Sequence, residues 1–147
     1  MIINGNALLQ AAPLTPMLKE KMRDGGVSYG LTEAGYDVRI KQAVTLTPEH
    51  RFQLASTVER FNMPNTLVAV VHDKSTWARR GLSVFNTVIE PGWRGWLTLE
   101  LVYHGDKELV IPEGAGIAQV LFYKLAQKGS YGDGKYQNQP DRPVGAR

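Results

Sequence analysis

With 147 residues, of which 43% are hydrophobic, the chain is long enough for one domain with a single core. It contains no cysteine, which excludes disulfides, thiolate zinc sites and a cysteine nucleophile, and the spacing of its three histidines matches no metal-binding motif. The net charge of +3 suits an anionic partner such as a nucleotide, or equally an unspecialised basic surface.

Residues 16–24, PMLKEKMRD, predict a short helix. Thr15 is a suitable N-cap, Pro16 fits the first helical position, and two glycines follow the segment. Leu18 and Met22 lie four residues apart and would give this helix an apolar side.

From Tyr36 onward the hydrophobic period changes to two, since Tyr36, Val38 and Ile40 alternate with Asp37 and Arg39. Further strands, separated by turn-forming residues, are predicted at 52–58, 66–72, 82–89, 96–103, 107–111 and 117–124. No long helical pattern separates them. The chain is therefore expected to be mainly β, a sandwich or barrel with one small helix rather than a doubly wound α/β sheet.

Residues 126–147 differ in composition, being rich in Gly, Pro, Gln and Asp and poor in aliphatic side chains. Such a segment adds little to a core and is expected to be mobile without a ligand. Lys135, Tyr136 and Gln139 lie among its glycines and prolines, where they could fold over a ligand as a lid. A plain disordered tail is the alternative interpretation.

The segment HDKSTWARRGL, residues 72–82, concentrates groups that bind phosphate. Ser75 and Arg79 lie four residues apart, so one helical turn would place the hydroxyl and the guanidinium on the same side. Backbone N–H groups at the start of that turn also favour an anion, with Lys74 beside them. An ordinary solvated surface helix would have the same composition.

The segment VIEPGWRGWLTLEL, residues 88–101, carries two carboxylates in different surroundings. Glu90 lies at a strand end beside a Pro-Gly turn, where it should be hydrated. Glu100 lies in mid-strand between two leucines and shares a face with Thr98. Partial burial would raise the pKa of Glu100, as a general base near neutral pH requires. A glutamate on the solvent face of an edge strand is the alternative.

Five ordered blocks resemble the dCTP deaminase branch of the trimeric dUTPase superfamily: SYGLTEAGYDVRI, HDKSTWARRGL, VIEPGWRGWLTLEL, IPEGAGIAQVLFY and YGDGKYQNQ. This resemblance implies a distorted β-barrel or jelly-roll protomer with one or two short helices, a homotrimer, and active sites built between subunits. Residues 1–125 would form the barrel and residues 126–147 a flexible C-terminal lid over the nucleotide. The family binds a nucleoside triphosphate with Mg²⁺ on the phosphates, so no metal ligands are expected in the protein.

The resemblance also implies roles for matching residues. Glu100 stands where the deaminases have the glutamate that shuttles protons for water attacking C4 of cytosine. Ser75 and Arg79 match a serine and an arginine that contact phosphate and organise the reacting centre, which makes these three the catalytic candidates. The other substrate-binding candidates are Lys74 and Thr76 in the same turn, Glu90, Thr98 and Leu99, whose backbone would read the base, and the lid residues Tyr131, Lys135 and Gln139.

Two departures from the family pattern affect the nucleoside pocket. Glu90 replaces the family's aspartate, whose carboxylate contacts the deoxyribose 3′-hydroxyl, and its extra methylene displaces the carboxylate by ~1.5 Å. The chain is also shorter than usual across residues 83–90, SVFNTVIE, the hairpin expected to wall the base pocket.

These residues favour hydrolytic deamination of dCTP to dUTP and ammonia, by a route without the metal that zinc deaminases hold with cysteines. A dUTPase, or a bifunctional enzyme that converts dCTP to dUMP, is the alternative, acting on a plain or modified pyrimidine nucleotide. A non-catalytic nucleotide-binding regulator on the same fold is the third hypothesis. Expected partners are dCTP, dUTP or dTTP as a further ligand or effector, and two other copies of the chain.

Charge pattern and hydropathy limit the other partners. Lysines and arginines are dispersed, without the tract that follows a nucleic-acid backbone, so nucleic acid is not expected. No apolar run approaches the ~18 residues of a membrane span, and the N-terminal residues lack a signal-peptide pattern. We therefore expect a cytoplasmic protein that does not bind a membrane.

Overall fold

The computed structural model describes residues 1–23 and 27–147. In this part of the chain the helices are α1 (Gly5–Ala11) and α2 (Ser75–Ala78). The strands are β1 (Leu14–Thr15), β2 (Lys21–Met22), β3 (Tyr29–Leu31), β4 (Tyr36–Arg39), β5 (Val44–Leu46), β6 (Phe52–Asn62), β7 (Leu67–Asp73), β8 (Leu82–Val84), β9 (Val88–Ile89), β10 (Arg94–Tyr103), β11 (Leu109–Ile111) and β12 (Gly116–Lys124). The predicted mainly β fold with short helices is confirmed. Neither helix has the length and apolar character needed to cross a membrane.

The strands form two main sheets and one small sheet. Their order is β1-β6-β10-β8 in the four-stranded sheet and β2-β3-β4-β12-β7-β9 in the six-stranded sheet, while β11 and β5 form a pair. These pairings are antiparallel. A bridge between Ile40 and Thr57 connects the two main sheets, and the Lys41 amide donates to the Ser56 carbonyl at 2.8 Å. The sheets thereby curl into a distorted barrel.

Apolar side chains fill the space between the main sheets. Tyr36 and Val38 of β4 are fully buried, as their alternation in the sequence predicts, and they belong to the same cluster as Phe61 of β6 and Phe122 of β12. Each fully buried side chain of this size contributes about 1.5–3 kcal/mol relative to its exposed state. This cluster holds the two long strands β6 and β10, which form one wall of the cleft described below.

The predicted helix at 16–24 is wrong over residues 16–23, and Asp24 lies outside the described residues. Leu14 and Thr15 pair with Phe61 and Arg60 in the four-stranded sheet, so the chain enters this segment as a strand. The amide of Leu18 then donates to the Tyr36 hydroxyl at 2.9 Å instead of to a helical carbonyl. Tertiary pairing outweighs the local capping signals because those signals contribute only weakly. The two glycines expected to end the helix lie outside the described residues.

The predicted strand at 82–89 is divided into β8 and β9, which lie in different main sheets. Leu82 to Val84 pair with β10, whereas Val88 and Ile89 pair with β7. The Val84 amide donates to the Asp73 carboxylate at 2.6 Å, which fixes where the chain leaves β8.

The sequence analysis also missed α1 and the strands β1, β2, β3 and β5. The helix α1 has seven residues, about two helical turns, and these strands have at most three residues. Such segments are too short to show a clear hydrophobic period.

Candidate active site

The helical turn predicted around Ser75 and Arg79 is confirmed as α2. The Arg79 amide donates to the Ser75 carbonyl at 3.0 Å, and the side chains of both residues are exposed. Trp77 anchors the turn from below, since it is 2% exposed and its indole N–H donates to the Gly116 carbonyl at 2.6 Å. Arg80 lies over the outer face of the Trp77 ring, 5.0 Å from its centroid. The short helix is therefore a fixed platform that presents a hydroxyl and two guanidinium groups to solvent.

Lys74 lies in a buried ion pair. Its side chain is 11% exposed, and its ammonium donates to Asp37 Oδ2 at 2.5 Å and to Ser28 Oγ at 3.1 Å. Burial raises the pKa of Asp37, and the hydrogen bond and charge of Lys74 partly counter that increase. Two of the three ammonium N–H donors are thus used inside the protein. Lys74 primarily fixes the start of α2 to β4, a contact that its match to a phosphate-binding arginine did not predict.

A cleft of about 480 Å³ lies between the four-stranded sheet and the C-terminal residues. Five predicted site residues line it: Glu90, Thr98, Glu100, Tyr131 and Gln139. The sequence analysis missed most of its apolar lining, which comprises Phe52, Leu54, Val88, Ile89, Trp93, Leu97, Val144 and Ala146. Thr87 and Tyr136 complete the lining.

Glu100 is the half-buried carboxylate in this cleft. It lies on β10 opposite Leu54 of β6, and its own backbone carbonyl accepts a hydrogen bond from the Phe85 amide at 3.1 Å. Burial raises the pKa of Glu100, and a hydrogen bond from the backbone offsets only part of that increase. The mid-strand position and the raised pKa expected from the sequence are therefore confirmed. Such a group can take up and release a proton closer to neutral pH than an exposed glutamate.

Replacing Glu100 with glutamine is expected to stabilise the protein at neutral pH. A carboxyl with a raised pKa binds its proton more tightly in the folded than in the unfolded chain, so its contribution to stability falls as pH rises from the ordinary pKa through the raised one. Glutamine has a similar shape but no charge to desolvate. Melting curves should show a higher Tm for Glu100→Gln at about pH 8 and a smaller difference at about pH 4. Equal Tm differences at both pH values would contradict a raised pKa.

A bulge in β10 turns consecutive side chains toward the cleft. The register against β6 shifts between Trp96 and Thr98, and both Leu97 and Thr98 line the cleft together with Glu100. The Leu97 amide, which the bulge removes from the regular ladder, donates to Thr57 Oγ1 at 3.1 Å. Simple alternation along β10 predicts the positions of Thr98 and Glu100 but not that of Leu97.

The tail, residues 126–147, packs against the mouth of the cleft. The Tyr131 amide donates to the Pro91 carbonyl at 2.7 Å, and the Trp93 indole N–H donates to the Tyr136 carbonyl at 2.7 Å. The Tyr131 hydroxyl accepts the Tyr136 amide at 3.0 Å. These contacts join the tail to the Pro-Gly-Trp turn after β9. The composition of the tail did not predict them, because they use backbone groups and aromatic side chains rather than aliphatic burial.

Gln139 is the most deeply placed residue of the tail, with 7% of its surface exposed. Its side-chain amide donates to the Trp96 carbonyl at 2.8 Å and to Thr98 Oγ1 at 2.7 Å. Its backbone forms a parallel bridge with Gly95, where an added Cβ would lie 2.6 Å from the Gln139 nitrogen. Gly95 has a φ of 140° in addition, so glycine is required at this close approach. The tail is thus joined edge-on to β10. Its movement on ligand binding stays a prediction.

The cleft of one protomer does not contain all of the predicted site. Ser75 and Thr76 lie on α2 and Arg79 is its C-cap residue, and none of the three lines the cleft. Leu99 is 1% exposed, so its side chain belongs to the core and its backbone is what remains for contact with a base. Lys135 is exposed, and its ammonium donates to the Arg147 carbonyl at 2.9 Å. One protomer therefore brings the carboxylate and part of the tail together, but not the groups expected to bind phosphate.

A resident metal ion does not fit the described residues. No group of three or more His, Asp or Glu side chains within residues 1–23 and 27–147 is placed to hold one. The carboxylates that line the cleft are Glu90 and Glu100.

Comparison with known sequences identifies dCTP deaminases among the relatives of this chain. A sequence model of the family described as dCTP deaminase-like matches residues 36–125. The dCTP deaminase of Campylobacter hominis is 35% identical over 158 aligned positions, which cover 86% of this chain and 83% of the relative. The dCTP deaminase of Herpetosiphon aurantiacus is 34% identical, and the alignment covers 86% of each protein.

Comparison with solved structures identifies dUTPases of the same fold. The dUTPase of Staphylococcus bacteriophage 80alpha, solved with dUpNHpp, has a TM-score of 0.60 at 16% identity and covers 79% of this chain and 91% of its own. A dUTPase from phage phi11 of S. aureus, described with a structural Mg(II) ion, has a TM-score of 0.61 at 16% identity, with 79% and 92% covered. These similarities show that the distorted barrel is of the dUTPase type.

Proposed function

The chain belongs to the dCTP deaminase-like family, and from this premise we propose that it hydrolyses dCTP to dUTP and ammonia. The observation that carries the proposal is the half-buried Glu100, whose pKa is raised in an otherwise largely apolar cleft. The same cleft has a volume of about 480 Å³, within the range of small-molecule sites. Because dCTP is a free nucleotide, the reaction would belong to the cytoplasmic nucleotide pool.

In this reaction Glu100 acts first as a base and then as an acid. Its carboxylate accepts a proton from the water whose oxygen bonds to C4 of cytosine. It passes this proton to ring N3, and it then transfers the proton of the C4 hydroxyl to the exocyclic amino group, so that the C4–N bond breaks, the C4 carbonyl forms and ammonia leaves. The sum is dCTP plus water to dUTP plus ammonia, with Glu100 restored to its starting state. A carboxyl with a raised pKa suits both steps, because proton transfer is most effective when the pKa approaches the working pH.

Ser75 and Arg79 complete the site of a neighbouring protomer in a homotrimer. Three observations support this assignment. Both side chains are exposed on the rigid turn α2, they are absent from the cleft of their own protomer, and the cleft mouth exposes Phe52 and Val88, which are 51% and 53% accessible. Apolar side chains of this size at the rim of a cleft are typical of a surface that another subunit covers. The nucleotide would bind as its Mg²⁺ complex, with the ion on the phosphates.

A complementation experiment tests the shared site. Arg79→Ala and Glu100→Gln homotrimers should each be inactive, since each lacks one essential group in every site. Heterotrimers co-expressed in equal amounts should regain about a quarter of the parent activity, because that fraction of interfaces pairs an intact Glu100 with an intact Arg79. Light scattering should give three times the protomer mass for all of these assemblies. Mixed trimers without activity would contradict sites built between subunits.

A second experiment separates deamination of dCTP from hydrolysis of dUTP, the reaction of a dUTPase. The protein would receive dCTP, dUTP or dCMP with Mg²⁺, and ammonia and pyrophosphate would be measured separately. Ammonia alone from dCTP supports the deaminase, whereas pyrophosphate from both dCTP and dUTP would assign a bifunctional enzyme. The second activity is considered because the exposed Glu90 lines the same cleft as Glu100. Binding of dTTP or dUTP without turnover of any nucleotide would instead favour a regulator.

A further inference from the structure

Residues 140–147, which we term the strap, continue beyond Gln139 along the wall of the cleft. Val144 and Ala146 are lining residues, and Val144 is the one branched aliphatic side chain in the tail. The strap is held at several points along its length. Asp141 forms an ion pair with Lys41 of the barrel. Near its other end, the Arg147 amide donates to the Tyr136 hydroxyl at 3.2 Å.

Thr98 is the central attachment point of the strap. Its hydroxyl oxygen accepts the Gln139 side-chain amide at 2.7 Å and the Val144 backbone amide at 3.0 Å. A threonine hydroxyl has two acceptor positions, so both are used by the tail. Thr98 is 8% exposed and lies two residues before Glu100 on β10. The position of Val144 is therefore tied to the strand that carries the carboxylate.

The cleft retains its volume of about 480 Å³ with the strap in place. The strap therefore bounds the cavity and does not fill it. Phe52 and Leu54 of β6 and Ile89 of β9 line the same cavity, so Val144 belongs to a largely apolar enclosure. Burial raises the pKa of Glu100, and an apolar wall along the same cavity adds to the exclusion of water from it.

We infer that the strap is part of the nucleoside pocket, with Val144 facing the base and sugar of the bound pyrimidine deoxynucleotide and Thr98 acting as the residue that positions it. This inference rests on the proposed function for the identity of the ligand. It extends the tail's role from covering the triphosphate to selecting and desolvating the nucleoside. Thr98 acts through Val144 and is a positioning residue in this respect.

Ending the chain after Gln139 tests the inference, because Tyr131, Lys135 and Gln139 remain. Loss of one apolar contact should weaken dCTP binding about tenfold, measured by calorimetry with the Mg²⁺ complex. The acidic limb of the pH profile of kcat/KM should move to lower pH, since a hydrated Glu100 returns toward its ordinary pKa. Glu90, Tyr131 and Tyr136 are the other titratable groups that line the cleft, and all three are retained. The Tm should change little, because the strap contributes no residue to the core cluster.

Two point variants distinguish a specific role of Val144 in the pocket from a general effect of the tail. Thr98→Val keeps the shape of the side chain but removes the acceptor, so the Val144 amide should exchange its hydrogen faster and dCTP should bind more weakly. Arg142→Ala is the matched control within the strap. Arg142 is exposed, and the hydrogen bond from its amide to the Pro140 carbonyl uses backbone atoms only. Exchange of the Val144 amide and affinity for dCTP should therefore stay at parent values in this variant.

The outcomes distinguish this inference from the proposed function. If truncation leaves the dCTP affinity and the acidic limb of the kcat/KM profile unchanged, the strap is not part of the nucleoside pocket, and the proposed deamination still stands. Tighter binding after truncation would also overturn it, since the strap would then obstruct the cleft. A full chain that binds none of the nucleotides would overturn both the proposed function and the role of the strap in the nucleoside pocket. Unchanged exchange of the Val144 amide in Thr98→Val would overturn the positioning role of Thr98 whatever the ligand.

Discussion

Replacement of Glu100 by glutamine is expected to slow ammonia release from dCTP by a factor of about 10²–10⁴, the usual contribution of a positioned acid–base group. Glutamine preserves the length of the side chain and can still form hydrogen bonds, but it cannot accept the proton of the attacking water. Nucleotide affinity should remain close to that of the parent, because the apolar enclosure and the tail are unchanged. Ammonia release under saturating dCTP and calorimetric binding of the Mg²⁺ complex measure the two effects separately.

Glu113→Gln is the matched control for this experiment. Glu113 is exposed in the turn before β12 and is not a lining residue of the cleft, so the same chemical change there should leave the rate unaltered. A Glu100→Gln protein with the parent rate would remove Glu100 from the mechanism. A loss of affinity equal to the loss of rate would assign Glu100 to binding rather than to proton transfer.

Glu59→Ala is expected to lower the free energy of unfolding by about 3–5 kcal/mol, the usual effect of removing one partner of a buried ion pair. Glu59 of β6 is fully buried, and burial raises its pKa. Its carboxylate oxygens accept the Arg39 Nε–H at 2.9 Å and the Arg39 backbone amide at 2.9 Å. Because Arg39 belongs to β4, the pair connects the two main sheets. Alanine would leave two donors of Arg39 without their partner, and the Tm should fall by roughly 10 °C.

Glu33→Ala provides the comparison with an exposed pair. Lys21 and Glu33 also form an ion pair, with 3.2 Å between Nζ and Oε2, but the Glu33 side chain is 88% exposed. Water replaces the partner at such a site, so the melting curve should stay near that of the parent. Glu59→Gln keeps hydrogen-bonding capacity and should fall between the two, which provides a folded variant if alanine prevents folding. Equal melting temperatures for all three variants would show that the buried pair does not stabilise the fold.

The strands could be predicted from the sequence where one face of a strand is buried for several residues. Tyr36–Arg39, Phe52–Asn62 and Gly116–Lys124 alternate or remain apolar over enough positions to show a period of two. The turn at Ser75 was predictable for a similar reason, since its four-residue spacing is local. The fold of residues 16–23 was not, because the local capping signals compete with the pairing of Leu14 to Phe61 and the hydrogen bond from Leu18 to Tyr36, residues far away in the chain.

The features of the candidate site also differ in whether the sequence alone predicts them. The residue types and the strand position of Glu100 follow from the sequence by itself, because alternation places it beside Thr98 and burial raises its pKa. Only the tertiary structure decided that Lys74 pairs with Asp37, and that Val144 reaches Thr98 from a distant part of the chain. Composition measures how much apolar surface a segment can bury. It does not register backbone hydrogen bonds to a remote strand, and these are what hold the tail of this protein against its cleft.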